Sequence, residues 1–152
     1  MSKASFIQQC QSNINRYSAK VAALQDKITE AEKNLDKYNQ TKKEYETMMA
    51  YLEIAQTEIS SINGTLGEAD GIFSSAYKGF GAKVFSDNVS SATTDVSSAG
   101  SLLGSATTEA NDKITEYQSK ITSTENEIRE YKAKKQQYKG MISGWIAAIA
   151  RL

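Results

Sequence analysis

A chain of 152 residues falls within the size of one domain. At 39% hydrophobic and 24% charged, with a mean hydropathy of −0.50, it has too little apolar material for a thick core but enough for a narrow seam between helices. It has 18 basic and 18 acidic side chains, no histidine and one cysteine, Cys10. That rules out an internal disulfide, the usual zinc sites and the strong basic field of a dedicated DNA binder.

The charge is uneven along the chain. Residues 1–60 carry 8 basic and 8 acidic groups, residues 61–112 carry 2 and 6, and residues 113–152 carry 8 and 4. Proline is absent. Because proline costs about 3 kcal/mol inside a helix, its absence favours long uninterrupted helices. The N-terminus turns polar at once, so no signal peptide is expected, and no apolar run reaches the roughly 20 residues of a membrane span. The expected location is the cytoplasm, or outside the cell by a route that does not read a classical signal.

From Ile7 the apolar residues recur at alternating steps of three and four: Ile7, Cys10, Ile14, Tyr17, Val21, Leu24, Ile28, Ala31, Leu35 and Tyr38. The register continues through Lys42, Tyr45, Met49, Leu52, Gln56 and Ile59. This is the pattern of an amphipathic, coiled-coil-like helix, roughly 80–90 Å long. Asn63-Gly64 then reads as a C-cap, and Thr65-Leu66-Gly67-Glu68 as a capping box. A break is therefore expected near 63–65, either a kink or a second fold-back. A short helix is expected from Leu66 to about Tyr77, burying Ile72 and Phe73. Reversal is expected over 78–81.

A second register begins at Phe85 and runs Val89, Ala92, Val96, Ala99, Leu103, Ala106 and Ala110. A four-residue step leads to Ile114, as in a stutter that unwinds a supercoil locally. The register then runs through Tyr117, Ile121, Thr124, Ile128, Tyr131, Lys135, Tyr138, Ile142, Trp145, Ile149 and Leu152. Residues 86–111 are rich in Ser, Thr, Ala and Gly. A flexible linker is one reading of them, but the spacing of Val89, Val96 and Leu103 favours helix. Small seam residues bury little area, so this half is expected to be the softer one.

The fold class predicted is therefore all-α: one domain, residues 1–152, built as a long antiparallel hairpin. Arm one covers about 3–77 and arm two about 82–152. Pairing would bring Phe6, Ile7 and Cys10 near Trp145, Ile149 and Leu152, with Ser2 and Leu152 at one end.

Nothing in the sequence proposes catalysis, and no cofactor or metal is expected. Histidine is missing, Cys10 lies on the seam as a small hydrophobe, and phosphate-loop and dinucleotide fingerprints are absent. The basic stretch Arg129–Lys139 reads as a solvated face, so no nucleic-acid partner is expected. The sequons at Asn63 and Asn88 are taken as chance matches. Of the eight tyrosines, Tyr17, Tyr38, Tyr45, Tyr117, Tyr131 and Tyr138 lie on the registers. They give an amphipathic seam that either packs internally or opens toward another helix pair. The segment Met141–Leu152 is apolar on more than one face. It closes the hairpin, meets a partner or, least favoured, touches a membrane surface. Candidate partner-binding residues are Tyr117, Tyr131, Tyr138, Trp145 and Ile146.

The midpoint run Tyr77-Lys78-Gly79-Phe80-Gly81-Ala82-Lys83-Val84-Phe85 resembles the turn of WXG-family hairpins. In larger relatives that turn extends to Trp-x-Gly-x-x-Ala-x-x-Phe, and Tyr77, Gly79, Ala82 and Phe85 fall on its four positions with Tyr in place of Trp. Length and arm character resemble the YwqH-like group, small helical proteins associated with LXG toxins of type VII secretion in Gram-positive bacteria. The resemblance implies a non-enzymatic adaptor for the N-terminal helical region of such a toxin, with a second small helical protein as a further partner. The family's Tyr-x-x-x-Asp/Glu export signal is absent, since Tyr131 is followed at plus four by Lys135 and Tyr138 by Ile142. This implies an export signal supplied by the partner. The competing expectation is a self-associating structural coiled coil with no toxin partner, in which Lys42, Gln56 and Lys135 set the register.

Overall fold

With no proline to stop it, the chain forms two long helices that pack on each other as a hairpin: α1 (Lys3–Ala76) and α2 (Phe80–Ala150). The computed structural model describes residues 3–151. Every described residue of both predicted registers is buried or half-buried. The seam is therefore made by the three-and-four spacing itself, which keeps one stripe of each helix facing the other.

The hairpin divides into two compact units. The terminal unit comprises Met1–Gln40 with Tyr117–Leu152, and the turn unit is Thr41–Glu116. In the terminal unit the seam is well filled. Cys10, Ile28 and Ala31 of α1 and Ile121, Thr124 and Ile128 of α2 are all buried. Each isoleucine there contributes about 1.5–3 kcal/mol by leaving water. Polar ties cross the flanks: Lys132 Nζ meets Glu32 Oε1 at 2.8 Å, and Lys135 Nζ donates to Gln25 Oε1. Of the residues expected together at the ends of the arms, Cys10 is buried, and Phe6, Ile7, Trp145 and Ile149 are half-buried in this unit. The expected meeting of Ser2 and Leu152 lies outside the described residues.

The turn unit packs more thinly, and among its described residues only Ala110 is buried. Its α2 side presents alanine and valine, and small side chains remove little area from water. The Ser/Thr-rich stretch is nevertheless helical throughout. Its hydroxyls bond back one turn: Thr93 Oγ1 to Val89 O at 2.8 Å, Ser98 Oγ to Thr94 O at 2.9 Å and Thr107 Oγ1 to Leu103 O at 2.8 Å. These bonds satisfy groups that would otherwise compete with the helix.

Three expectations for this unit are corrected. First, α1 passes through residues 63–65 without a break. Thr65 does not cap a helix, because its Oγ1 donates to Ser61 O at 3.1 Å inside one. The seam spacing continues from Ile59 through Asn63, Leu66 and Asp70 to Phe73, all half-buried, so packing holds the helix across the glycines. Second, Ile72 is 70% exposed, and only Phe73 turns inward. Third, the reversal occupies residues 77–79 rather than 78–81. Gly79 alone takes a positive φ, 120°, among the described residues, and α2 begins at Phe80 rather than 82.

Candidate partner-binding site

The turn is fixed by two backbone bonds and three rings. Tyr77 N–H donates to Phe73 O at 3.0 Å, ending α1, and Lys83 N–H donates to Gly79 O at 3.2 Å, starting α2. Between them Gly79 supplies the left-handed conformation that a side chain would resist. Phe73 is the centre of the ring cluster: Phe85 stacks on it at 4.0 Å and Tyr77 at 4.7 Å, both at 23°. Ala82 is half-buried, whereas Tyr77 is 61% exposed and Phe80 84%. The four motif positions thus divide into a packed pair, Ala82 and Phe85, a conformational glycine and an outward-facing tyrosine. Phe73, which lies outside the motif, joins the two helices.

The other candidates lie in the terminal unit, where the tyrosines face each other in pairs. Tyr17 and Tyr138 approach to 5.5 Å between ring centroids, and Tyr38 and Tyr117 to 6.0 Å. Lysines cover these rings. Lys20 lies 5.5 Å from the Tyr17 ring and 5.2 Å from the Tyr138 ring, Lys120 lies 4.7 Å from Tyr117, and Lys27 lies 5.6 Å from Tyr131. Tyrosine suits this position because its ring packs on the seam, its hydroxyl stays near water and its face attracts a cation. Such layers are held by contacts of about 1 kcal/mol each, weaker than buried leucine pairs.

Near the end of α2, Tyr17, Met141, Gly144, Trp145 and Ala148 line an apolar groove of about 370 Å³. Trp145 is half-buried in it, and Ile146 lies outside it, 54% exposed. The structure therefore places Tyr17, Tyr138 and Trp145 in one neighbourhood. The turn motif belongs to the other unit.

Two features of the turn unit escaped the sequence reading. Asn63 Oδ1 and Asp70 Oδ1 are buried without a hydrogen-bond partner. Both lie on the continuing seam register, which becomes visible once no break is assumed. Asn63 also lines an open groove of about 730 Å³ with Gln56, Ile59, Ser97 and Gly100. The second feature is a set of exposed apolar residues on α1: Met48, Tyr51, Ile62 and Ile72, each one residue before a seam position, and Ile54 on the outer face.

No described helix is long and apolar enough to cross a membrane. Among the described residues, no group of three or more His, Cys, Asp or Glu side chains is placed to hold a metal ion. Comparison with protein-family models, with curated proteins and with solved structures finds no match.

Proposed function

We propose that this protein is a non-enzymatic helical adaptor that binds the N-terminal helical region of an LXG-type toxin and supports its export by type VII secretion. The observation that carries the reading is the turn. A Tyr-x-Gly-x-x-Ala-x-x-Phe sequence is found where two long helices reverse, with Gly79 at positive φ and Phe85 packed across the reversal on Phe73. Gly79 thus has the role the resemblance implies for the motif glycine, and Ala82 and Phe85 lie on the returning helix as it implies. Tyr77, in the Trp position, stacks on Phe73 but is 61% exposed rather than sealing the end. The lysine-covered tyrosine layers and the Trp145 groove support the same reading. They give a helical partner apolar surface that is only half withdrawn from water, with polar edges to orient it.

The mechanism is side-by-side helix packing. The partner's helix lies along the tyrosine-bearing face, and the combined bundle presents the export signal this chain lacks. The test is affinity purification of the tagged chain from its native cell, with mass spectrometry of what co-elutes. Stoichiometric recovery of one large protein, helical in its N-terminal half and unrelated in its C-terminal half, is expected. Recovery of the tagged chain without such a protein overturns the reading and favours the structural coiled coil, for which Lys42, Gln56 and Lys135 on the seam speak. Phe85→Ala should weaken capture more than Tyr77→Ala, because Phe85 holds the helices together while Tyr77 is mostly solvated.

A further inference from the structure

Most of the exposed apolar residues of the turn unit share one face. On α1, Met48, Tyr51, Ile62 and Ile72 each stand one residue before a seam position, and on α2 Leu102 stands one before Leu103. Residues one after a seam position, Glu53, Thr57 and Ser60 of α1 with Ser97 and Gly100 of α2, line a single groove. Both helices therefore turn that flank the same way, and the residues one before the seam lie together on the opposite flank. A Cβ on Gly100 would meet Ile59 Cγ2 at 3.4 Å, which sets Leu102 level with Glu58. Tyr51 is 69% exposed, Ile72 70% and Leu102 73%. At 1.5 Å per residue the stripe on α1 runs for about 36 Å.

The same face is acidic. Glu58, Asp95 and Glu109 each stand one residue before a seam position, and all three are exposed. From Met48 to Glu109 no lysine or arginine holds a position of this kind. The turn unit as a whole carries 5 basic and 11 acidic side chains, a formal charge of −6. In the terminal unit the corresponding positions include Lys20, Lys27, Lys120 and Lys134. An apolar face edged only by acids thus belongs to the turn unit alone.

We propose that this face is a docking site for a basic amphipathic helix of a partner protein, which packs against α1 and α2 of the turn unit as a third helix. The spacing selects a helix. Anchors at steps of three and four are matched by the same spacing on a partner helix, and α1 and α2 keep their backbone bonds internal, so a strand finds nothing to pair with. The charge selects its sign. Glu58, Asp95 and Glu109 stand among the apolar residues, so lysine or arginine beside the partner's anchors is attracted and glutamate repelled. A second copy is the poorer occupant: its turn unit brings the same acids, and its terminal unit holds Lys20, Lys27 and Lys120 where apolar anchors are needed. The proposal does not rest on the adaptor reading, because any protein presenting such a helix satisfies it.

The test uses the purified full chain and two synthetic peptides of about 25 residues, long enough to cover the stripe. Both carry leucine at the same heptad positions; one is edged by lysine and arginine, its twin by glutamate. Binding is read by fluorescence anisotropy at about 0.1 M and about 1 M NaCl, between which the screening length falls from about 10 Å to about 3 Å. At the lower salt the basic peptide is expected to bind at least tenfold tighter than its twin, and at the higher to lose at least tenfold. Glu58→Lys with Asp95→Lys should weaken it at least tenfold. Glu46→Lys with Glu53→Lys, the same change of charge on the opposite flank, should weaken it much less. Ile62→Lys should abolish binding with unchanged helical circular dichroism, so a folding defect in one variant leaves the other to decide. A nitroxide on the basic peptide should broaden the amide signals of Tyr51, Ile62 and Leu102 and spare those of Lys20 and Lys120. Absence of binding, equal affinity for the two peptides, or equal losses from the two charge-reversed pairs overturns the proposal. So does a chain that sediments at twice its 16.7 kDa mass and becomes a monomer on Ile62→Lys, which gives the face to a second copy.

Discussion

Gly64, Gly67 and Gly71 all lie inside α1, and no atom stands within 4 Å of where a Cβ would sit at any of them. Glycine in a helix interior costs about 0.5–1 kcal/mol relative to alanine, through the extra freedom of the unfolded chain. With open space and helical backbone at each site, Gly64→Ala should raise stability by that amount. The triple substitution should raise it by about 1.5–3 kcal/mol, because the three effects act chiefly on the unfolded state. At about 2–4 °C per kcal/mol for a chain of this size, the melting midpoint should rise by roughly 3–12 °C. Thermal melts followed by circular dichroism, with urea titrations, measure the shift. Amide exchange over residues 41–116 shows whether the gain falls in the turn unit. A lower midpoint for Gly64→Ala refutes the continuous helix, since alanine is penalised only if that residue takes a left-handed cap conformation.

The opposite sign is expected at Gly79, where φ is 120°: Gly79→Ala should lower the urea midpoint by an amount worth about 1 kcal/mol or more. Asn63→Leu should stabilise by about 1–3 kcal/mol, because it removes an oxygen buried without a partner and adds apolar area to the seam. Asn111→Leu on the exposed side of α2 measures helix propensity alone, and an equal gain there would refute the claim. Cys10 is fully buried, so it should react slowly with a thiol reagent in the native protein, and Cys10→Ser should destabilise by about 1–3 kcal/mol by burying a hydroxyl. Amides of the turn unit should exchange faster than those between Tyr117 and Tyr138, and equal protection would contradict the contrast in burial.

The seam was legible in the sequence because burial in a two-helix hairpin depends on spacing. Residues at steps of three and four return to the same face whatever their chemistry, so Lys42, Gln56 and Lys135 were placed on the seam as reliably as Leu24 or Ile28. The break at 63–65 was misread because Asn, Gly and Thr are cap residues only when the chain beyond them leaves the helix. Here Leu66 and Phe73 keep the register, and a pair of half-buried side chains outweighs a propensity cost of about 1 kcal/mol. The position of the turn was nearly right, since a glycine must supply the positive φ, but its end was not. Gly81 looked like part of the reversal, whereas the bond from Lys83 N–H to Gly79 O already commits it to α2. At the candidate site, the sequence named Tyr117, Tyr138 and Trp145 but could not show that the rings pair across the seam under lysines. That depends on the relative alignment of the arms.

The turn unit is the less self-sufficient of the two, for reasons visible along α1. Its seam spends three positions on Gln56, Asn63 and Asp70, two of which bury an oxygen without a partner, and faces a helix of small residues. The larger apolar groups Met48, Tyr51, Ile62 and Ile72 stand one position away, where α2 does not cover them. Apolar area contributes about 25 cal/mol per Å² only when it leaves water, so these residues add little to the hairpin itself. A sequence that needed only its own hairpin would gain by exchanging the two stripes. Keeping the polar groups inside and the apolar groups on the flank makes sense if the flank is completed by another helix.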